Sequence, residues 1–198
     1  MIDNQQPIFQ FDLRRTAILS KYIEAWGAPL YRKVANKGAQ RIEVYCFTPP
    51  DSIITRYATV GVSDFEYPDA MPANWEFLLV TPGDDSDKMI DEVFGYIFDI
   101  MAYSRVNNVK LKVGLALDES PIAPISWKAR GILIDEPRGE PEFLEKIHYR
   151  NQCISLFWLV PIHKAEYDSI VRSGLGEFDA ADQASEWSLA DPWRDSLI

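Results

Sequence analysis

Cys153-Ile-Ser-Leu-Phe-Trp-Leu-Val-Pro161 is the most strand-like stretch of this chain. Aromatic and β-branched side chains fit a pleated surface. Their nearly continuous apolar run predicts a central strand covered on both faces, since a half-exposed strand would alternate with polar residues. Directly after it, Pro161-Ile-His-Lys-Ala-Glu166 turns into a helix that ends near Gly174, with Tyr167, Ile170 and Val171 facing inward. Glu166 stands at capping-box spacing from His163, although His is a poor cap. A strand buried on both faces requires neighbouring strands beside it and helices above and below it.

The preceding sequence supplies both. Arg41–Thr48 alternates Ile42, Val44 and Cys46 against Glu43, Tyr45 and Phe47, and stops at Pro49-Pro50. Thr55–Val60, Trp75–Val80 and Ala129–Ile134 read as further strands, the second of them another apolar run. Leu13, Ala17, Ile18, Tyr22 and Trp26 recur at helical spacing, so residues 13–26 form a helix closed by Gly27 and Pro29. The longest helix spans Asp87 to Asn107, with Met89, Ile90, Val93, Phe94, Ile97, Phe98 and Met101 as its apolar stripe. The turn Thr81–Asp87 offers its N-cap. Residues 177–188 add a short acidic helix, Pro121–Trp127 is a loop, and residues 1–12 and 189–198 are expected to be extended. The order helix, strands, helix, strands, helix predicts an α+β fold. It would have a mixed, largely antiparallel sheet packed by helices in a layered sandwich, as one domain over residues 1–198.

Length supports one domain, because a chain of 198 residues buries about 70% of its unfolded surface without a staple. Cys46 and Cys153 lie in apolar runs and read as buried reduced thiols. Neither a signal peptide nor a membrane-spanning run is visible, which predicts a cytosolic protein. The net charge of −10 argues against nucleic-acid binding. Charge is also blocked. Residues 14–43 are mostly basic, residues 61–99 carry ten acids against Lys88, and residues 177–198 carry six acids against Arg194. Such blocks steer a partner of opposite charge.

Catalytic patterns fail in turn. No Gly-x-Ser-x-Gly elbow occurs, and Ser63 beside Asp64 has only His148 and His163 to complete a triad. Thr81-Pro-Gly-Asp-Asp85 is acidic and poor in glycine, so it repels phosphate. Asp84, Asp85, Asp87 and Asp91 are oxygen-rich but lack the glycine of a calcium loop. Cys153 lies in a core strand, where a thiol is inert. No cofactor is expected. The sites that remain suit protein recognition. They are the acids Asp84, Asp85, Asp91, Asp182 and Glu186, with Trp127, Trp187 and Trp193 in polar, turn-like settings as aromatic anchors.

Three segments together resemble the suppressor-of-fused-like domain family. They are Arg41–Pro50 with Ala58-Thr-Val-Gly-Val-Ser-Asp64, then Trp75-Glu-Phe-Leu-Leu-Val-Thr-Pro82, then Leu156-Phe-Trp-Leu-Val-Pro-Ile-His163 with Glu166 and Gly174. Val62 stands where the family usually has Met, and Pro121–Trp127 matches only loosely. The resemblance covers roughly residues 25–195. It implies a protein-binding domain without catalytic residues, in which Ser63 and Asp64 form a turn. Bacterial stand-alone members resemble immunity proteins of polymorphic toxin systems. The leading expectation is therefore an acidic immunity protein that occludes a basic toxin domain. An intracellular scaffold or regulator is the second reading, and a metal-dependent hydrolase built on Asp84–Asp91 the third.

Overall fold

The computed structural model describes residues 6–37, 40–49, 53–64, 73–83 and 86–198. A helix at Gln6–Trp26 (α1) precedes strands Tyr31–Lys37 (β1), Gln40–Phe47 (β2), Ile54–Val60 (β3) and Trp75–Pro82 (β4). Helix Asp87–Val106 (α2) leads to Ala116–Leu117 (β5), Gly131–Asp135 (β6), Lys146–Tyr149 (β7) and Gln152–Ile162 (β8). Helices Lys164–Ser173 (α3) and Leu175–Ala184 (α4) follow. The sheet order is β1-β2-β3-β4-β8-β6-β5, and β7 also pairs with β8. Among the described strands only β4 and β8 run parallel, in the register Trp75↔Ser155 to Leu78↔Trp158. The other pairs are antiparallel. The predicted α+β class and the central position of β8 both hold.

Alternation along the strands sorts side chains between two cores rather than between core and water. Ile42, Val44, Cys46, Phe77, Leu79, Ile132, Ile134 and Leu159 pack against Ile90, Val93, Phe94, Ile97 and Ile100 of α2. Tyr45, Phe47, Leu78, Val80, Leu133, Trp158 and Val160 face the opposite core, with Ile18, Tyr22 and Trp26 of α1, Ile170 of α3 and Phe178 of α4. Period-2 geometry makes this division automatic once both faces are covered. Each such buried side chain contributes roughly 1.5–3 kcal/mol, which is why a sheet this apolar must be sandwiched.

Several boundaries differ from the expectations. α1 begins at Gln6, so residues 6–12 are helical rather than extended; Pro7 sits in the first turn, where its missing N–H costs no bond. Strand β1 went unpredicted because its sequence is polar. It is an outer strand of the sheet, where charged residues are normal and block further pairing. In the segment 189–198, turns at 189–190 and 192–193 and a bend at 194 replace the expected extended chain, and residues 195–198 have no regular structure. Cys46 is buried as expected, but Cys153 is exposed. It lies opposite His148 in the β7–β8 ribbon, at the end of β8 away from the central pairing. Gly27 closes α1 at φ +81°, as its position predicted, and Ser86 caps α2 by accepting from the Met89 amide at 3.3 Å.

Candidate functional site

Among the described residues three carboxylates are fully buried: Glu43, Glu76 and Glu166. Burying a charge is costly unless it is paired and hydrogen-bonded, and each is answered differently. Glu76 lies in β4 and accepts from the amides of Gly61, Val62 and Ser63 at 3.0–3.1 Å. It also accepts from the hydroxyls of Thr59 at 2.7 Å and Ser63 at 2.6 Å. The turn at 61–64 is thus wrapped around a carboxylate, a concave nest of backbone donors. This explains the Ala58–Asp64 motif. Ser63 is 1% exposed and spends its hydroxyl on Glu76, so it is structural, as the turn reading held. Glu43 takes Arg15 at 3.0 Å and Arg41 at 2.7 Å, with the Tyr45 hydroxyl donating to it as well. Glu166 forms a two-pronged ion pair with Arg194, at 2.5 and 2.8 Å, and accepts from the amides of His163 and Leu197. Burial alone would raise the Glu166 pKa, but Arg194 and the two amides outweigh it and hold the carboxyl below its ordinary value. This pair pins the C-terminal segment to α3.

These carboxylates organise the fold; the accessible chemistry lies elsewhere. Between α2 and the 117–125 segment runs a two-part groove. One part, roughly 330 Å³, is lined by Tyr96, Ile100, Tyr103, Leu117 and Ile132, with Asp99, Asp118 and Glu119 among its walls. The other, wider and shallower, shares Tyr96 and Asp99 and adds Glu92, Phe98, Ile122 and Ile125. Ile125 is 82% and Tyr103 49% exposed, an apolar surface left open to solvent. The loop opposite α2 is held firmly. The Arg130 guanidinium donates to the carbonyls of Pro121 and Ala123, Ser120 N–H to Arg130 O, and Trp127 N–H to Pro124 O. The Tyr96 hydroxyl donates to Arg130 O at 3.0 Å, and its ring stands edge-on to Trp127 at 5.6 Å. Burial pushes the Tyr96 hydroxyl well above its ordinary pKa, so it stays a neutral donor. Asp118 is held ionised by Lys164 at 2.8 Å, and its pKa falls below the usual value. The groove is therefore preformed, apolar inside and acidic at its walls.

The sequence-predicted recognition residues are only partly brought together. Trp127 is 3% exposed, so it is a core residue behind the groove wall and not an exposed anchor. Trp193 is half-buried against the α2-side core. Trp187 is 53% exposed, as its setting suggested. Asp91 is exposed on α2, where it pairs with Lys33 at 2.9 Å. Asp182 pairs with Arg138 at 2.8 Å, and Glu186 is exposed beyond α4. Asp84 and Asp85 lie outside the described residues. Asp99, Asp118, Glu119, Tyr103 and Ile125 were not singled out from sequence. Their signal was weak: an acid off the α2 stripe, and acids and apolars mixed in one loop. Among the described residues no cluster of three or more His, Cys, Asp or Glu is placed to hold a metal ion. No described helix is long and apolar enough to cross a membrane.

The family model for suppressor of fused protein matches residues 38–195. The chain belongs to the suppressor of fused family. Its fold is shared by solved structures, among them the following two. A suppressor-of-fused homolog from Neisseria gonorrhoeae FA 1090 superposes with TM-score 0.70 at 18% identity, covering 93% of this chain and 97% of that one. A chain of the Sufu–Fu complex superposes with TM-score 0.63 at 14% identity, covering 93% and 91%. No curated protein matches the sequence. Within this suppressor-of-fused fold, the segment 58–64 and the strand 75–82, both part of the resemblance, meet at Glu76. The third segment meets the C-terminus at Glu166–Arg194.

Proposed function

We propose that this suppressor-of-fused domain is a protein-binding module of the immunity type, which neutralises a bacterial toxin domain by covering a basic surface. The observation that carries the reading is the preformed groove between α2 and residues 117–125, with exposed Ile125 and Tyr103 beside Asp99, Asp118 and Glu119. Its occupant is a polypeptide segment with Lys or Arg flanking an apolar side chain. Apolar anchors in a rigid pocket supply affinity, and the acidic walls supply orientation and on-rate. Membership in the suppressor of fused family and the likeness to a chain of the Sufu–Fu complex support protein binding as the general role. Action would be in the cytoplasm, by occlusion and without a catalytic residue or cofactor. Of the other predicted recognition residues, Asp91 is exposed on α2 and pairs with Lys33, while Asp182 and Glu186 belong to α4 and the segment after it, with α4 packed on the opposite face of the sheet, and offer a second acidic surface; Asp84 and Asp85 lie outside the described residues.

The test is co-expression with the toxin-like product of the adjacent reading frame. Growth rescue and a complex whose association slows steeply with salt are expected. Asp99→Lys with Glu119→Lys, or Ile125→Asp, should abolish both. Rescue that survives all groove variants but is lost with Asp182→Lys and Glu186→Lys would place the interface beside α4 instead. Absence of any complex with the neighbouring product would favour the scaffold reading.

A further inference from the structure

Away from the groove, a second cavity of roughly 270 Å³ is lined by Arg14, Asp64, Tyr149, Arg150, Asn151 and Gln152. It lies where α1, the 61–64 turn and the β7–β8 hairpin meet. Unlike those of the groove, its described lining side chains are polar or amphipathic. We propose that it binds a small organic carboxylate, one that also carries a hydroxyl or ammonium group.

Arg14 carries the argument. It is 7% exposed, and its Nη1 donates to Gln152 Oε1 at 2.9 Å and pairs with Asp64 at 3.1 Å. Its Nε and Nη2 are buried and find no hydrogen-bond partner. Those two N–H groups form one edge of the guanidinium, a fork that matches the two oxygens of a carboxylate. The Tyr149 hydroxyl in the same lining is also buried without a partner. Leaving such groups unpaired is costly, so three of them on two residues that line one cavity mark a polar site that a ligand would complete. Arg150 sits at the hairpin tip with φ +52°, a left-handed conformation that a non-glycine residue adopts at a cost. Its guanidinium lies 5.3 Å from the Tyr149 ring centroid.

Charge and shape select the ligand class. Among the described lining residues, Arg14 and Arg150 oppose one acid, Asp64, a balance that favours a monoanion. Asp64 would repel the second charge of a phosphate dianion, and its free acceptor capacity suits a donor on the ligand. The unpaired atoms are closed to solvent, and Arg150, Asn151 and Gln152 are exposed. A ligand therefore enters by swinging the side chains of the hairpin aside, with Gln152 yielding its bond to Arg14.

Titration of the intact protein with glycolate, acetate and inorganic phosphate, followed by amide shifts of residues 149–153, tests this. Glycolate should saturate with a dissociation constant of about 1 mM, as expected for so few ligand atoms. Acetate should bind more weakly, because it lacks the donor for Asp64. Arg14→Lys keeps the charge but removes the fork and should weaken glycolate about tenfold. Tyr149→Phe and the exposed Arg150→Gln should weaken it several-fold, and these variants keep the test valid if Arg14→Lys does not fold. No saturable response to glycolate, equal affinity in the folded variants, or tighter binding of phosphate than of glycolate would overturn the proposal. Because the groove is not involved, toxin neutralisation should be unchanged in Arg150→Gln, so this inference and the proposed function fail separately.

Discussion

The two faces of the sheet are closed by different means. On one face α1, α3, α4 and the C-terminal segment lie together over a single core. Buried ionic anchors fix them: Arg15–Glu43, Glu166–Arg194, and Glu140 with Arg56 and the Trp26 indole N–H. On the other face the long helix α2 packs on apolar contacts, and the 117–125 loop beside it leaves the groove. A face covered by several elements must fix their relative positions, and directional charge-assisted bonds do so. A face with one main helix needs only an apolar stripe, and its margin stays available for a partner.

The largest effects should come from breaking the anchored face. Glu166→Ala leaves Arg194 buried without its counter-charge and should cost about 3–5 kcal/mol in denaturant unfolding. The double variant Glu166→Met with Arg194→Met should lose less than the single one, since an apolar pair avoids the stranded charge. Equal losses would mean that the pair gives no more than packing. Trp158→Ala, on the same face and 6% exposed, should also cost about 3–5 kcal/mol.

The same indole deletion should divide by burial. Trp127→Ala should cost about 3–5 kcal/mol and also weaken partner binding, because Trp127 supports the Tyr96 wall. Trp187→Ala, in an exposed residue, should change stability by less than about 0.5 kcal/mol. A comparable loss at both positions, read from thermal melts, would erase the distinction between wall and surface.

Acid titration should separate two of the carboxylates more gently. Glu166 has a depressed pKa, so its contribution is present above its unfolded value and is lost as pH falls through the folded one. Asp64 behaves oppositely. Burial raises its pKa to about 6 and Glu76 adds to this, while Arg14 opposes it. Protonated Asp64 is favoured in the fold, so its contribution is complete at low pH and is lost as pH rises from the normal carboxylate range towards 6. Asp64→Asn should therefore flatten the stability profile between about pH 4 and 6, whereas Glu166→Gln should flatten it below that range. An unchanged profile for Asp64→Asn would sink this assignment.

The smallest stability effect belongs to the groove's rim. Asp99→Lys with Glu119→Lys should leave the folding free energy within about 0.5 kcal/mol, because both acids are exposed. The effect should instead appear in the association rate with a basic partner and in its salt dependence.

Much of the fold was legible in the chain. The apolar runs at 75–80 and 153–161 required covered strands, and the stripes at 13–26 and 87–107 supplied the covers, because period and hydrophobicity are local properties. The acids buried in those elements were harder to read. Glu76 stands inside a run expected to be covered on both faces, a position that demands donors, yet the donors come from a turn more than ten residues earlier. Glu166 read as a cap, and half of that reading holds through the His163 amide. Its main partner, Arg194, lies 28 residues on, in a segment expected to be extended.

The sequence by itself determined the α+β class, the central strand, the capped helices and the family, since each follows from residue order and spacing. Only the tertiary structure decided which acids are buried anchors and which are free surface, and which tryptophans are core. Those outcomes depend on what a side chain meets across the fold. Trp127 and Trp187 have similar polar neighbours in sequence, but one meets the Tyr96 ring and the other meets water.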